Sequence, residues 1–278
     1  MHASIRGIDH LVIAVRDLDR AQSTYQRMGF TLTPRGYHTL GSQNHCLMFG
    51  TDYLELLAVP RPHPANQFFI DFLQRREGLA AIAFASDDSQ AAQSDFTAAG
   101  VAAEAPLEFS RPVERPDGVR DARFRIVALP AAATPGCRAF VCEHLTPELV
   151  WVPDSQRHAL GVTGIAGIAL QAADPQPVVD AWARTLAVAP EPIAEGQLLR
   201  TGTAPIAVAT PHALAQRLPR VALPEVAEAQ VAAIYLRVFD RSACETALRN
   251  GGFSVVRLAD GACAVGADQA HGVALVFG

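Results

Sequence analysis

Lysine is absent from the 278 residues, so all 23 basic side chains other than histidine are arginines. That absence rules out a Schiff-base lysine and a P-loop lysine. Charge is also scarce. Only 18% of residues are charged, the net charge is −5 and the pI is near 6.0, so no basic surface invites nucleic acid. The five cysteines (Cys46, Cys137, Cys142, Cys244, Cys263) are odd in number and form no C-x-x-C pair. They suggest neither a disulfide framework nor a zinc knuckle and read as small buried hydrophobes. No apolar stretch reaches the roughly 18 residues of a membrane span, and the opening "MHASIRGID" lacks an apolar leader core. A soluble, cytoplasmic protein is expected. G-x-S-x-G, G-x-G-x-x-G, P-loop and H-E-x-x-H motifs are all missing.

What is present is a repeat. In "GIDHLVIAVRDLDRAQSTYQRMGF" (7–30) both alternating sets of "HLVIAVRD" are mostly apolar, as in a strand covered on both faces. After Asp17 or Asp19 as N-cap, Leu18, Ala21, Tyr25 and Met28 recur at helical spacing, and Gly29 suits a left-handed stop. The frame returns with Ala81, Asp88 and Gly100-Val101 in place of His10, Asp17 and Gly29-Phe30, at a constant offset of 71. It returns again with Ala233, Asp240 and Gly252-Phe253. A weaker copy has Gly167 and Asp174, with Pro175 at helix position N1 and no closing glycine.

Short β-like runs follow each unit. In the first they are "FTLTPRGYHTL", "NHCLMFG" and "DYLELLAV"; in the second, "APLEFSRPV", "ARFRIVALP", "CRAFVCEH" and "ELVWVP". The simplest plan is α+β, a βαβββ module repeated four times. A lone sheet with two apolar faces is unstable in water, so modules pair, one with two and three with four. The expected domains are 1–153 and 164–278, with a linker at 154–163.

Paired modules opening "GIDHLVIAVRDL" and closing "YLELLAVP" resemble the vicinal oxygen chelate superfamily and, within it, the glyoxalase-like proteins. The resemblance implies two half-barrel domains and a divalent metal in the cleft between paired modules. Carried over residue by residue, it implies His10 and Glu55 as metal ligands. An imidazole and a carboxylate in one apolar concavity suit Fe, Zn, Mn, Co or Ni, with positions left for water or substrate oxygens. Aligning "ELLAVP" (55–60) with "ELVWVP" (148–153) selects Glu148 as the further ligand, with a possible catalytic role. The rival alignment of "FVCEHL" with "DYLELL" selects Glu143. His144 lies near both, as a ligand or proton shuttle. Ala81 stands where the superfamily commonly has a second first-strand histidine, so a full His/His/Glu site does not carry over. Gly167 and Ala233 at the matching positions, and closing strands without an acid, mark the second half as metal-free.

Among other histidines, His45 in "QNHCLMF" reads as cavity-lining, while His38 and His63 fall in turn-like segments and read as solvated. The five arginines of "RPVERPDGVRDARFR" are offset by Glu114, Asp117 and Asp121, the pattern of a solvated hairpin rather than an anion clamp. The functional expectation is a metal-dependent lyase, isomerase or dioxygenase acting on a small oxygenated substrate. The alternative is a metal-free protein that sequesters a small apolar molecule, as resistance members of the superfamily do. A homodimer is compatible with either.

Overall fold

A computed structural model of the chain describes residues 1–115 and 118–278; Asp117 of the arginine-rich hairpin lies outside them. The first half runs β1 (Gly7–Ala14), α1 (Leu18–Met28), β2 (Gly36–Tyr37), β3 (Gln43–Met48), β4 (Tyr53–Ala58), α2 (Gln67–Arg75), β5 (Gly78–Ala85), α3 (Ser89–Ala98), β6 (Leu107–Arg115), β7 (Gly118–Ala128) and β8 (Arg138–His144). The second half repeats the plan as β9 (Val162–Gln171), α4 (Pro175–Leu186), β10 (Pro190–Ile193), β11 (Gly196–Leu199), β12 (Ile206–Ala209), α5 (Pro211–Arg217), β13 (Gln230–Val238), α6 (Arg241–Asn250), β14 (Val255–Arg257), β15 (Cys263–Val265) and β16 (Ala274–Phe277). Each half is one eight-stranded sheet, ordered β2-β3-β4-β1-β5-β8-β7-β6 and β10-β11-β12-β9-β13-β16-β15-β14. The expected α+β plan of four βαβββ modules, paired into two half-barrels, is the fold observed.

The repeat is anchored by its aspartates. Asp17, Asp88, Asp174 and Asp240 each cap a module's helix, their carboxylates accepting backbone N–H groups of the first turn. Gly29 closes α1 at φ 103°. In the third module, which lacks that glycine, Ala187 is forced into the same left-handed region at φ 52°. Two of the β-like runs behave differently from expectation. "FTLTPRGYHTL" contributes only the two-residue β2, and "ELVWVP" is no strand, because Pro147 and Pro153 cannot donate to a ladder and start 3-10 turns at Pro147–Leu149 and Pro153–Gln156.

One core joins the halves. The module helices α1, α3, α4 and α6 and the convex faces of both sheets contribute to a single apolar cluster, with Tyr25, Phe96 and Trp182 fully buried. Polar ties cross the same boundary. Trp182 Nε1 donates to the Pro135 carbonyl at 3.0 Å, Thr185 Oγ1 donates to Ala133 O at 2.8 Å, and Ile165 N donates to Asp52 Oδ1 at 3.0 Å.

The concave faces differ. In the second sheet small side chains such as Ala169, Ala233 and Ala274 are covered by Leu214 and Leu218 of the α5 segment, which fill the concavity with the chain's own residues. In the first sheet the corresponding α2 packs Phe72 against Ala14 and Ala80 and sets Phe69 against Val12, Leu57 and Ala81. The rest of that concavity stays open.

Burial pushes the Asp52 carboxyl up to about 6, against the hydrogen bond from Ile165 and the nearby Arg237 guanidinium. The folded chain therefore holds a proton that the unfolded chain, at the ordinary value of 3.8, has released. This contribution to stability is full below about 3.8 and is lost as pH rises through about 6. Asp52→Asn is expected to gain up to roughly 3 kcal/mol relative to the native chain between pH 4 and 6, measured by urea unfolding at each pH. A pH-independent difference would refute it.

Candidate active site

The register of the two central strands places every candidate. β1 and β5 pair antiparallel, with Leu11 opposite Ile82, His10 opposite Ala83 and Val12 opposite Ala81. This local two-fold maps His10 onto Ala81. β1 pairs with β4 so that Val12 faces Glu55, and β5 pairs with β8 so that Ala83 faces Phe140. Phe140 is thus the residue that occupies Glu55's place in the second module.

Glu148 and Glu143 both drop out of that role. Glu148 sits exposed on the 3-10 turn after β8, its carbonyl accepting from Arg115 Nη2 at 2.9 Å. The parallel ladder with β5 is complete at Cys142, before the prolines turn the chain away. Glu143 lies on β8 but faces the helices, where its carboxylate accepts from Ser89 N (3.1 Å) and Oγ (2.6 Å) and from Arg125 (3.3 Å).

His10 and Glu55 do meet, with Nε2 and Oε2 3.6 Å apart and both side chains at least nine-tenths buried. A third group, Asp9, is unforeseen. It is the extra residue of a β-bulge between Ile8 and His10, and the bulge turns its side chain to the concave face beside its neighbour. Its Oδ2 lies 2.6 Å from His10 Nδ1 and 3.1 Å from His144 Nε2, so one carboxylate bridges two imidazoles. The bulge belongs to the module itself, since the registers of β5, β9 and β13 skip Ala80, Ala166 and Ala232 at the matching step. Asp against three alanines, one position before each landmark, was the legible signal.

Burial alone would raise the Asp9 carboxyl, but the hydrogen bonds and charges of His10 and His144 outweigh it and hold the group below the usual carboxylate range. An ionised carboxylate only accepts, so the shared protons sit on His10 Nδ1 and His144 Nε2. His10 Nε2, on the other side of the ring, is directed towards Glu55. On His144 the remaining Nδ1 is buried with no hydrogen-bond partner. The rings are held by stacking, His10 on Tyr53 (centroids 4.4 Å, 17°) and His144 on Trp151 (6.0 Å, 18°). Asn44 Nδ2 donates to Glu55 Oε1 at 2.6 Å and fixes that carboxylate. Cys142 completes the cluster. Asp9, His10, Cys142 and His144 each bring one donor atom within 4.8 Å of the others, the one such group found among the described residues. Burial, then the nearby acids, holds the Cys142 thiol well above its ordinary value.

His10 and Glu55 line a cavity of about 90 Å³, walled by Tyr53, Phe69, Phe109, Phe124 and Phe140. His38, expected in solvent, is buried in this wall with Nδ1 2.8 Å from Ser42 Oγ, and burial pushes its imidazole down to about 4. His45 does share a face with Leu47, as its spacing implied, but that face is convex; its Nδ1 meets Thr33 O at 2.8 Å. His63 stays exposed and caps a 3-10 turn.

A sequence profile described as a glyoxalase-like domain matches residues 8–186, more than half of the chain. The chain belongs to the glyoxalase-like domain family. No curated protein matches the sequence of this glyoxalase-like chain. Solved structures share its fold. A hypothetical protein from Staphylococcus aureus superposes with TM-score 0.70 at 12% identity, over 98% of both chains. A mutant of 4-hydroxymandelate synthase from Streptomyces coelicolor gives 0.58 at 17% identity, over 91% of this chain and 77% of that one. A xylose isomerase-like TIM barrel/4-hydroxyphenylpyruvate dioxygenase fusion gives 0.60 at 17%, over 100% of this chain and 49% of the fusion, so the chain spans about half the fusion's length. Among the described residues of the glyoxalase-like chain no helix is long and apolar enough to cross a membrane.

Proposed function

We propose that the protein is a divalent-metal-dependent enzyme, a lyase, isomerase or dioxygenase, acting on a small oxygenated substrate in the first half-barrel. The observation that carries this reading is the buried pair of carboxylates, Asp9 and Glu55, flanking one imidazole on the cavity floor. Two buried carboxyl groups on either side of one imidazole make a donor set suited to a dication. The donor set fits one: His10 Nε2 and Glu55 would hold the ion, and Asp9 would act from behind, fixing tautomer and ring as carboxylate partners of metal-bound histidines do. Phe140 and Ala81 offer no further ligand, so substrate oxygens and water complete the shell. Bound there, the ion supplies Lewis-acid polarisation of a substrate oxygen. The chain's own contribution is to keep the Nδ1 proton on His10, to hold Glu55 in place through Asn44, and to exclude water with the aromatic wall. Structural relatives that include a protein named as a dioxygenase support the oxygen-chemistry branch.

Metal content of untagged protein, loaded with Fe, Zn, Mn, Co or Ni, tests the proposal. About one ion per chain is expected, lost in His10→Ala and weakened at least tenfold in Glu55→Gln, while Cys142→Ala and Glu148→Gln keep it. No binding of any of the five ions rejects it. Loss on Cys142→Ala with retention in Glu55→Gln would move the ion to the Asp9–His144 side.

A second reading is favoured by the apolar lining and by Phe140 in a ligand position: a metal-free protein that sequesters a small apolar or aromatic molecule. It requires a ligand-induced thermal shift that survives both EDTA and Glu55→Gln.

A further inference from the structure

Among the described residues one cation of the cavity wall, Arg111, has no carboxylate against it. Arg111 is 8% exposed and lines the concavity from β6, the edge strand farthest in chain order from β1. It is the one arginine of the mixed-charge hairpin that the fold turns inward. Its neighbours do not neutralise it. Among the described residues no carboxylate lies within 4.0 Å of its guanidinium and no hydrogen bond engages it, although its nitrogens are not sealed from the cavity. The acid in the same wall, Glu55, is committed to Asn44 and His10.

Room for the side chain is built in. β2 and β6 close the half-barrel edge to edge, with Thr39 N donating to Ser110 O at 3.0 Å, which carries Arg111 over the first module's sheet. At that seam Gly36 has no Cβ; one would collide with Asn44 Oδ1 and stand 3.1 Å from Arg111 Cδ. A buried guanidinium is costly unless paired. Its planar fork matches a carboxylate.

We propose that the cavity's ligand is a small monocarboxylate with an apolar or aromatic body, its carboxylate on Arg111 and its body against Phe109, Phe124 and Phe140. The aromatic walls favour a singly charged group on an apolar body over a dianionic phosphate. The inference rests on the same cavity as the function proposed above, but not on the presence of a metal.

The test is calorimetric titration and thermal shift of chelator-treated protein with benzoate, phenylacetate and isobutyrate, against their neutral amides and inorganic phosphate. At least one acid is expected to bind tenfold or more tighter than its amide, and the preference should vanish in Arg111→Met and be partly kept in Arg111→Lys. Retained binding of the amide by Arg111→Met shows that the variant is folded. Equal binding of acid and amide, an unchanged preference in Arg111→Met, tighter binding of phosphate, or no binding of any acid overturns the inference. The metal titration is scored separately. An acid preference in a protein that binds no ion would sink the enzyme reading and leave this one standing.

Discussion

Trp182→Ala is expected to cost about 3–5 kcal/mol, the largest effect of any single truncation in the core. The indole is fully buried on α4, within the apolar cluster that both sheets share, and its Nε1 reaches across to the carbonyl of Pro135. Truncation removes the apolar surface, leaves a void that flanking strands cannot collapse into, and takes the indole donor from the part-buried Pro135 carbonyl. Trp182→Phe retains most of the packing and should cost about 1 kcal/mol more than its volume change implies, the share of the hydrogen bond. Because the residue ties the halves together, the alanine variant should also split one cooperative urea transition into two. A single transition at the native midpoint would contradict the picture of one shared core.

Asp9→Asn is expected to lower affinity for the divalent ion by about 10–100-fold while the chain stays folded. The amide oxygen can still accept from the imidazoles that Oδ2 now bridges, but it carries no charge to stabilise an ion-bound His10. The measurement is ion retention after gel filtration together with titration of the chosen ion, and circular dichroism to confirm the fold. Were Asp9→Asn to bind the ion as tightly as the native chain, Asp9 would be a structural ion-pair partner alone. His144→Ala leaves the Asp9–His10 bond in place and should weaken the ion by less.

Much of the site was legible in the chain. The offset of 71 that equates His10 with Ala81 is the same one that the β1–β5 ladder obeys, because a repeated strand pairing about a two-fold must keep its register. His10 and Glu55 follow from it. Glu148 did not, since "ELVWVP" imitates "ELLAVP" in composition while its prolines deny it a place in the sheet. Period two puts His45 in the right alternating set with Leu47 but does not tell that this face is the convex one, since it says which residues share a face and not which face is hollow. Asp9 was overlooked because a bulge breaks that period at one residue.

Local pattern specifies the module, its aspartate caps, its fourfold recurrence and the strand positions of His10 and Glu55, all of which depend on neighbours within a few tens of residues. Tertiary structure alone decided that the first concavity stays open while Leu214 and Leu218 fill the second, and that the bulged Asp9 bridges His10 to His144 from the far end of β8. It also decided that Arg111, one arginine of a seemingly solvated hairpin, faces an enclosed wall. Closure of a half-barrel brings together edges about seventy residues apart, and no local periodicity records which side chains will meet across the gap.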